Sequence, residues 1–300
     1  MSAMPESNIS TPFSKPLFSP GTVLGNTYTL EAFLGAGAYG QVYRVSHRYL
    51  GCQALKIFPP GGPEPSRDFL REARVLVYFT HPNIVRIFDA NVVQSLYGPL
   101  PYLAMEYIEG GTLGHLLRQR VRLNLEEAHR IAKDLCGGLS EAHSLEPPLL
   151  HLDLTTENVL VSEQRGRLRA KIADFGIAAH VHPTTRMARA QGTYYYMPPE
   201  MFWGYATTAS DVFMLGFLIY WIYAGLPPYP IPSLPAGATS QEWVDAVQQS
   251  RRVAAPPLSR FHLEIPRGTA EVVAKALSPD PNDRFTDARA FSAAFAGLDA

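Results

Sequence analysis

The densest chemistry in the chain lies in eight residues, His151-Leu152-Asp153-Leu154-Thr155-Thr156-Glu157-Asn158. An Asp five residues before an Asn, just after a His and ahead of the apolar pair Val159-Leu160, suits phosphoryl transfer. Such a carboxylate can accept the proton of an attacking hydroxyl, and such an amide oxygen can hold a Mg²⁺ ion. Asp174-Phe175-Gly176 ends the next apolar run and offers a second metal carboxylate. The bland alternative is a polar loop followed by an ordinary Asp-Gly turn. Two such motifs at this spacing weigh against it.

Other segments must position these groups. Tyr28 to Phe58 alternates and is bounded by turns, which predicts three antiparallel strands. The first turn holds Gly35-Ala36-Gly37-Ala38-Tyr39-Gly40. A lone G-x-G-x-x-G is a weak signal, and a dinucleotide site would need a helix straight after it. The sequel, Gln41-Val42-Tyr43-Arg44-Val45, is strand-like and predicts a β-hairpin flap over phosphates. Alternation in Gln53-Ala54-Leu55-Lys56-Ile57-Phe58 puts Ala54 and Lys56 on one face. A small residue under an adenine and a Lys reaching α- and β-phosphates fit that face; an exposed strand Lys is the alternative. Asp68 to Phe79 reads as a helix with an apolar stripe at Phe69, Ala73, Leu76 and Val77, and Glu72 beside it. Asn124 begins a further helix, with Glu127 placed for a capping box and Ala128, Ile131, Ala132, Leu135, Leu139 and Ala142 on its buried face.

Taken together, His-x-Asp-x-x-x-x-Asn and Asp-Phe-Gly resemble the catalytic core of eukaryotic-type serine/threonine protein kinases. Gly192-Thr193-Tyr194-Tyr195-Tyr196-Met197-Pro198-Pro199-Glu200 is similar to that family's substrate-docking segment, and Asp280-Pro281-Asn282-Asp283-Arg284-Phe285 to its last fixed motif. The resemblance runs from about residue 27 to 297 in family order, and its style is closest to bacterial members. It implies a two-lobed α+β fold. A β-rich N-lobe would span about 27–105 and a mainly helical C-lobe about 110–297, with ATP between them.

Roles follow from the resemblance. Asp153 would be the catalytic base, Lys56 would hold phosphates and be oriented by Glu72, and Asn158 and Asp174 would bind Mg²⁺ or Mn²⁺. Leu34, Gly35, Gly37, Gly40, Val42, Ala54, Met105 and Leu160 would line ATP, with the backbone of Glu106 and Ile108 meeting the adenine. Met105 would be the gatekeeper behind the base. Asp211 would hold the catalytic-loop backbone, and Arg284 would pair with Glu200. His151, Phe175, Ile87 and Leu76 would stack as a spine. The segment with His180, His182, Thr184, Thr185, Arg186 and Arg189 would be an activation loop; a two-His metal site there lacks a third ligand.

Composition bounds the rest. With 26 basic and 27 acidic residues, charge gives no push toward nucleic acid or anionic membrane. Cys52, in a predicted strand, and Cys136, in a predicted helix, are expected to be buried and reduced, which suits a reducing, cytoplasmic compartment. The N-terminus shows no basic stretch followed by an apolar one, so no signal peptide is expected. The apolar run Val212–Leu226 is short for a membrane span and reads as a buried helix. Residues 1–26, rich in Ser, Thr and Pro, are expected to form a flexible tail; a minority alternative docks its aromatics on the first lobe.

Two departures from the family's His-Arg-Asp-Leu-Lys-Pro-Glu-Asn stand out. Leu152 replaces the Arg that binds a phosphorylated activation loop, and Thr155 replaces the Lys that neutralises the transferring phosphoryl. They keep open a second reading, a pseudokinase that binds nucleotide and signals by shape. A small-molecule kinase of the aminoglycoside phosphotransferase type is a third. It lacks the docking segment ending in Glu200 and the partner Arg284, both present here. The first reading is transfer of the ATP γ-phosphoryl to a Ser or Thr hydroxyl of a protein whose identity the sequence does not name.

Overall fold

The alternating stretch from Tyr28 folds into consecutive antiparallel strands. The structure is a computed structural model and describes residues 15–37, 40–58, 76–120, 123–175, 193–235, 237–261 and 265–297. Its first unit takes the described residues up to His81 and Val85–Ile108; its second takes Pro82–Ile84 and those from Glu109 on.

In the first unit, β1 (Val23–Leu24), β2 (Tyr28–Gly37), β3 (Gly40–His47), β4 (Gly51–Ile57), β5 (Ile87–Ser95) and β6 (Gly98–Glu106) form one antiparallel sheet. Its order is β1-β2-β3-β4-β6-β5. Register places Val42 opposite Lys56 and Gln41 opposite Ile57. One face therefore carries Val42, Ala54 and Lys56, and the other carries Gln41, Tyr43, Leu55 and Ile57. The second face builds the unit's core with Leu30, Val45, Leu100 and Tyr102. β3 starts directly at Gly40, so the glycine turn is a hairpin and not a helix start. Glycine is required there, because a Cβ on Gly40 would lie 2.5 Å from the Ile57 carbonyl oxygen.

Two expectations need correction in this unit. Phe18 lies in the sheet's core, with its ring edge on Tyr43 and Tyr97, and Leu17 packs beside it. The apolar side chains of this stretch have a sheet face to cover, so residues 17–24 are folded onto the sheet and are not tail-like. Phe13 lies outside the described residues. Cys52 is exposed, because it stands at the start of β4, opposite Ser46, before the strand enters the core. Cys136 is buried as expected, and neither thiol is in a disulfide. Of the helix expected over Asp68–Phe79, only its end is described, and Leu76–Tyr78 are helical.

The second unit has a small antiparallel sheet of β7 (Gly111–Thr112), β8 (Val159–Gln164) and β9 (Arg167–Ile172). Its helices are α1 (Leu113–Gln119), α2 (Leu125–His143), α3 (Thr208–Ala224), α4 (Ser240–Ser250), α5 (Arg267–Ala276) and α6 (Ala288–Ala296). α2 has the expected reciprocal cap: Glu127 N–H donates to Asn124 Oδ1 at 2.8 Å, and Asn124 N–H donates to Glu127 Oε2 at 3.2 Å. Its predicted apolar face is buried. Asp134 on α2 accepts the Ala170 N–H at 2.9 Å and so ties the helix to β9. α3 is apolar on all sides and is buried on nearly all of them. Gly216 lets it approach α5, since a Cβ there would sit 2.7 Å from the Ala276 Cβ. Among the described residues, no helix is long and apolar enough to cross a membrane.

Candidate active site

The octapeptide runs between α2 and β8, and its backbone is held from beneath by α3. Asp211, on the first turn of α3, is fully buried. Its Oδ2 accepts the His151 N–H and its Oδ1 the Leu152 N–H, both at 2.7 Å. A third donor was not foreseen. His143 Nδ1 accepts the Ala288 N–H at 3.1 Å, so its ring proton sits on Nε2, which donates to Asp211 Oδ2 at 3.0 Å. Nothing in the sequence singles out His143, because its partners come from α3 and α6.

His151 is equally committed. Its Nδ1 accepts the Asp153 N–H at 3.2 Å, and its Nε2 donates to the Ala173 carbonyl at 2.9 Å. Its ring meets the edge of Phe175 at a centroid separation of 4.7 Å, and Phe175 is buried. Two members of the expected spine are thus in contact. Ile87 and Leu76 are buried in the first unit.

Asn158 is bonded to Asp153 and to the residue that precedes Asp174. Its Nδ2 donates to the main-chain oxygen of Asp153 at 2.7 Å and to Asp153 Oδ2 at 3.0 Å. Its main-chain carbonyl accepts the Ala173 N–H at 2.8 Å, one residue before Asp174. Asp174 stands in the left-handed region at φ 61, a backbone state that Asp tolerates better than most residues. With Nδ2 engaged by Asp153, the Asn158 oxygen is the atom of that amide suited to a cation. Asp174 adds carboxylate oxygen, so the donor set is the hard-oxygen kind that Mg²⁺ prefers.

In the first unit, Lys56 is buried at 5% exposure on β4, between Val42 of β3 and Leu103 of β6. Ala54, on the same face, pairs with Met105, which is also buried. Gly35, Gly37 and Gly40 lie on the β2–β3 hairpin, with Leu34 exposed beside them. The Glu106 N–H donates to the Arg86 carbonyl at 2.9 Å, so a contact from Glu106 to a base must run through its carbonyl. Ile108 is half-buried, and Leu160 lies on β8 opposite Thr112 and Lys171. Glu72, Gly176, His180, His182, Thr184, Thr185, Arg186 and Arg189 lie outside the described residues.

Leu152 has a buried side chain and a left-handed backbone at φ 59. Thr155 is buried too. Thr156 is a third departure from the family pattern, standing where that pattern has Pro, and comparison with the octapeptide could have flagged it. Its Oγ1 lies 2.8 Å from Tyr196 Oη, linking the octapeptide to the segment before Glu200. Burial pushes the Tyr196 phenol up to about 12, against the opposing hydrogen bond to Thr156. Next to it, Tyr195 Oη donates to the Tyr229 carbonyl. Arg251, just after α4, donates to the Tyr195 carbonyl with its guanidinium 4.1 Å from the Tyr229 ring centroid. Farther along, Arg284 meets Glu200 in a two-point pair at 2.7 and 2.9 Å.

The protein kinase domain family matches residues 28–296 of the chain. The serine/threonine-protein kinase PknB of Mycolicibacterium smegmatis is 31% identical over 274 residues, covering 88% of this chain and 42% of that protein. A probable serine/threonine-protein kinase of Clostridium perfringens is 28% identical over 276 residues, covering 90% of this chain and 38% of its own length. The chain thus spans less than half the length of these relatives. Among solved structures, a double mutant of the PknI kinase domain of Mycobacterium tuberculosis superposes with a TM-score of 0.70 at 27% identity. That likeness covers 94% of this chain and 99% of the other.

Proposed function

Because the chain belongs to the protein kinase family, we propose that it transfers the γ-phosphoryl group of ATP to a Ser or Thr hydroxyl of a protein substrate. The observation that carries this reading is Asn158, whose side-chain amide joins Asp153 by two hydrogen bonds while its main-chain carbonyl holds the strand end before Asp174. Asp153 orients the attacking hydroxyl and accepts its proton. Lys56 holds phosphate oxygens, and Glu72 is the partner assigned to it. Asn158 and Asp174 hold Mg²⁺, which supplies neutralisation of phosphate charge when bound. The remaining work of these residues is positioning, so a changed charge pattern slows the transfer more than it redirects it. The kinase domain in this reading covers 27–297.

Thr155 favours a second reading, a nucleotide-binding pseudokinase, because it puts a neutral side chain where the family has a cation. The intact Lys56, Asp153, Asn158 and Asp174 favour the first. Radiolabelled ATP, offered with Mg²⁺ or Mn²⁺ to the chain alone and with generic basic acceptors, separates them. Asp153→Asn serves as the blank. Label on Ser or Thr above that blank is expected. ATP binding without transfer in the wild type would move the assignment to the pseudokinase.

A further inference from the structure

Gln41 follows the last glycine of the hairpin turn and is fully buried. Its amide treats a stretch of main chain as a neighbouring strand would. Nε2 donates to the Lys15 carbonyl at 2.7 Å, and Oε1 accepts the Leu17 N–H at 2.9 Å. Tyr43, two residues on and on the same face, donates its hydroxyl to Gln41 Oε1. The Tyr43 oxygen also lies 3.0 Å from the Leu17 nitrogen and 3.3 Å from that of Phe18. Phe18 is the apolar anchor of the contact, and Tyr97 Oη donates to the Leu17 carbonyl at 3.4 Å. Farther on, the Gly21 N–H donates to the Leu30 carbonyl at 2.7 Å, and the Leu30 N–H to the Thr22 carbonyl at 2.9 Å. Residues 15–22 thus form a strap over the β2–β3 hairpin on one face of the sheet, while Val42 and Lys56 lie on the sheet's other face.

We propose that this strap sets the position of the glycine hairpin, and that Gln41 is a positioning residue acting through it on nucleotide binding. The strap precedes residues 28–296, the stretch that matches the kinase family. The proposal rests on the reading of Gly35–Gly40 as the phosphate flap. A turn rich in glycine loses more backbone freedom on ordering than one without. A fixed anchor at Gln41, directly beside Gly40, reduces the freedom that nucleotide must remove on binding. Gln41 is buried, so losing its two bonds to the strap's main chain would cost the amide hydrogen bonds that water cannot readily replace, and the strap and Gln41 act as one unit.

The test uses the full chain with Gln41→Leu and with Phe18→Ala, and with Phe18→Leu as the conservative replacement. Hydrogen exchange of the amides over residues 30–45 is expected to speed up about tenfold in the first two variants and to stay near wild type in Phe18→Leu. KM or Kd for ATP is expected to rise about tenfold in the same two, more than kcat falls. Unchanged exchange over the hairpin overturns the strap, as does faster exchange with unchanged ATP affinity. A general loss of stability that lowers kcat at constant KM overturns the positioning role. A wild-type chain that binds no ATP defeats the phosphate-flap reading instead, and the exchange measurement still decides whether the strap holds the hairpin.

Discussion

The Leu152 N–H donates to Asp211 Oδ1 at 2.7 Å, and the residue so held stands at φ 59. A left-handed conformation costs a non-glycine residue roughly 1–2 kcal/mol, so the loop over 151–158 persists in this shape only where its surroundings enforce it. Asp211 also accepts from His151 N and His143 Nε2. Asp211→Ala would leave three buried donors without their acceptor. We expect a loss of about 3–5 kcal/mol, the range for breaking a buried charged contact, and loss of phosphoryl transfer. Urea unfolding measures the first. A loss below about 1 kcal/mol would show that water or another acceptor takes over.

The Arg284 guanidinium is buried and spends all of its nitrogens. Besides Glu200 it donates to the carbonyls of Ser278, Pro279 and Ala209. Ser210 Oγ donates to Glu200 Oε1 at 2.8 Å, which joins the pair to the first turn of α3. Arg284→Met should cost about 3–5 kcal/mol, because it strands a carboxylate at 11% side-chain exposure. Adding Glu200→Gln should restore part of that loss. A double-mutant cycle with a coupling energy near zero would remove the pair from its structural role.

Strand pairing, the α2 cap, the buried α3 and the roles of Asp211, Glu200 and Arg284 were legible because each has a local signature. Alternation fixes a face, an Asn three residues before a Glu fixes a cap, and an ordered series of motifs fixes a family. Long-range contacts that no motif announces were not legible. His143 reaches Asp211 over 68 residues, Thr156 reaches Tyr196 over 40, and Gln41 reaches Leu17 over 24. Each joins residues whose types are ordinary, so only the fold reveals them. Cys52 was misplaced because a strand's ends do not share the burial of its middle.

Tyr196 gives a prediction in pH. Burial raises its folded pKa to about 12 from the ordinary phenol value of 10.0. In the window between those values, the unfolded chain loses a proton that the folded chain keeps. The stability this group supplies is fully present below pH 10 and fades as pH rises toward 12. Tyr196→Phe should flatten that part of the alkaline stability profile and cost about 0.5–1.5 kcal/mol at neutral pH through the lost hydroxyl pair with Thr156. Thermal unfolding at a series of pH values reads both. An unchanged slope above pH 10 would mean that other buried phenols carry it.

Leu152 predicts how the chain responds to phosphorylation. A buried leucine cannot make the charge-assisted bonds that an arginine offers a phosphate. Replacing Thr184 and Thr185 together by Ala should therefore change the transfer rate by no more than about twofold, measured with the same acceptor and saturating ATP. A fall of tenfold or more would mean that another cation reads a phosphorylated residue in that segment.

Thr155 gives the most direct test of the proposed chemistry. It stands two residues after Asp153, is buried, and offers a hydroxyl where the family has an ammonium. A preorganised donor aimed at developing charge is worth roughly 2.7–4 kcal/mol in the transition state. Its absence should hold the wild-type rate about a hundred- to a thousandfold below what the remaining residues allow. Thr155→Lys is expected to recover at least about tenfold of that in kcat, with a smaller change in KM for ATP, because the missing interaction belongs to the transition state. The extended backbone at Thr155, φ −123 and ψ 169, accepts a lysine without strain. Single-turnover transfer with labelled ATP separates the chemical step from product release. A variant that folds, binds ATP and transfers no faster than wild type would show that this chain already supplies the charge from another residue.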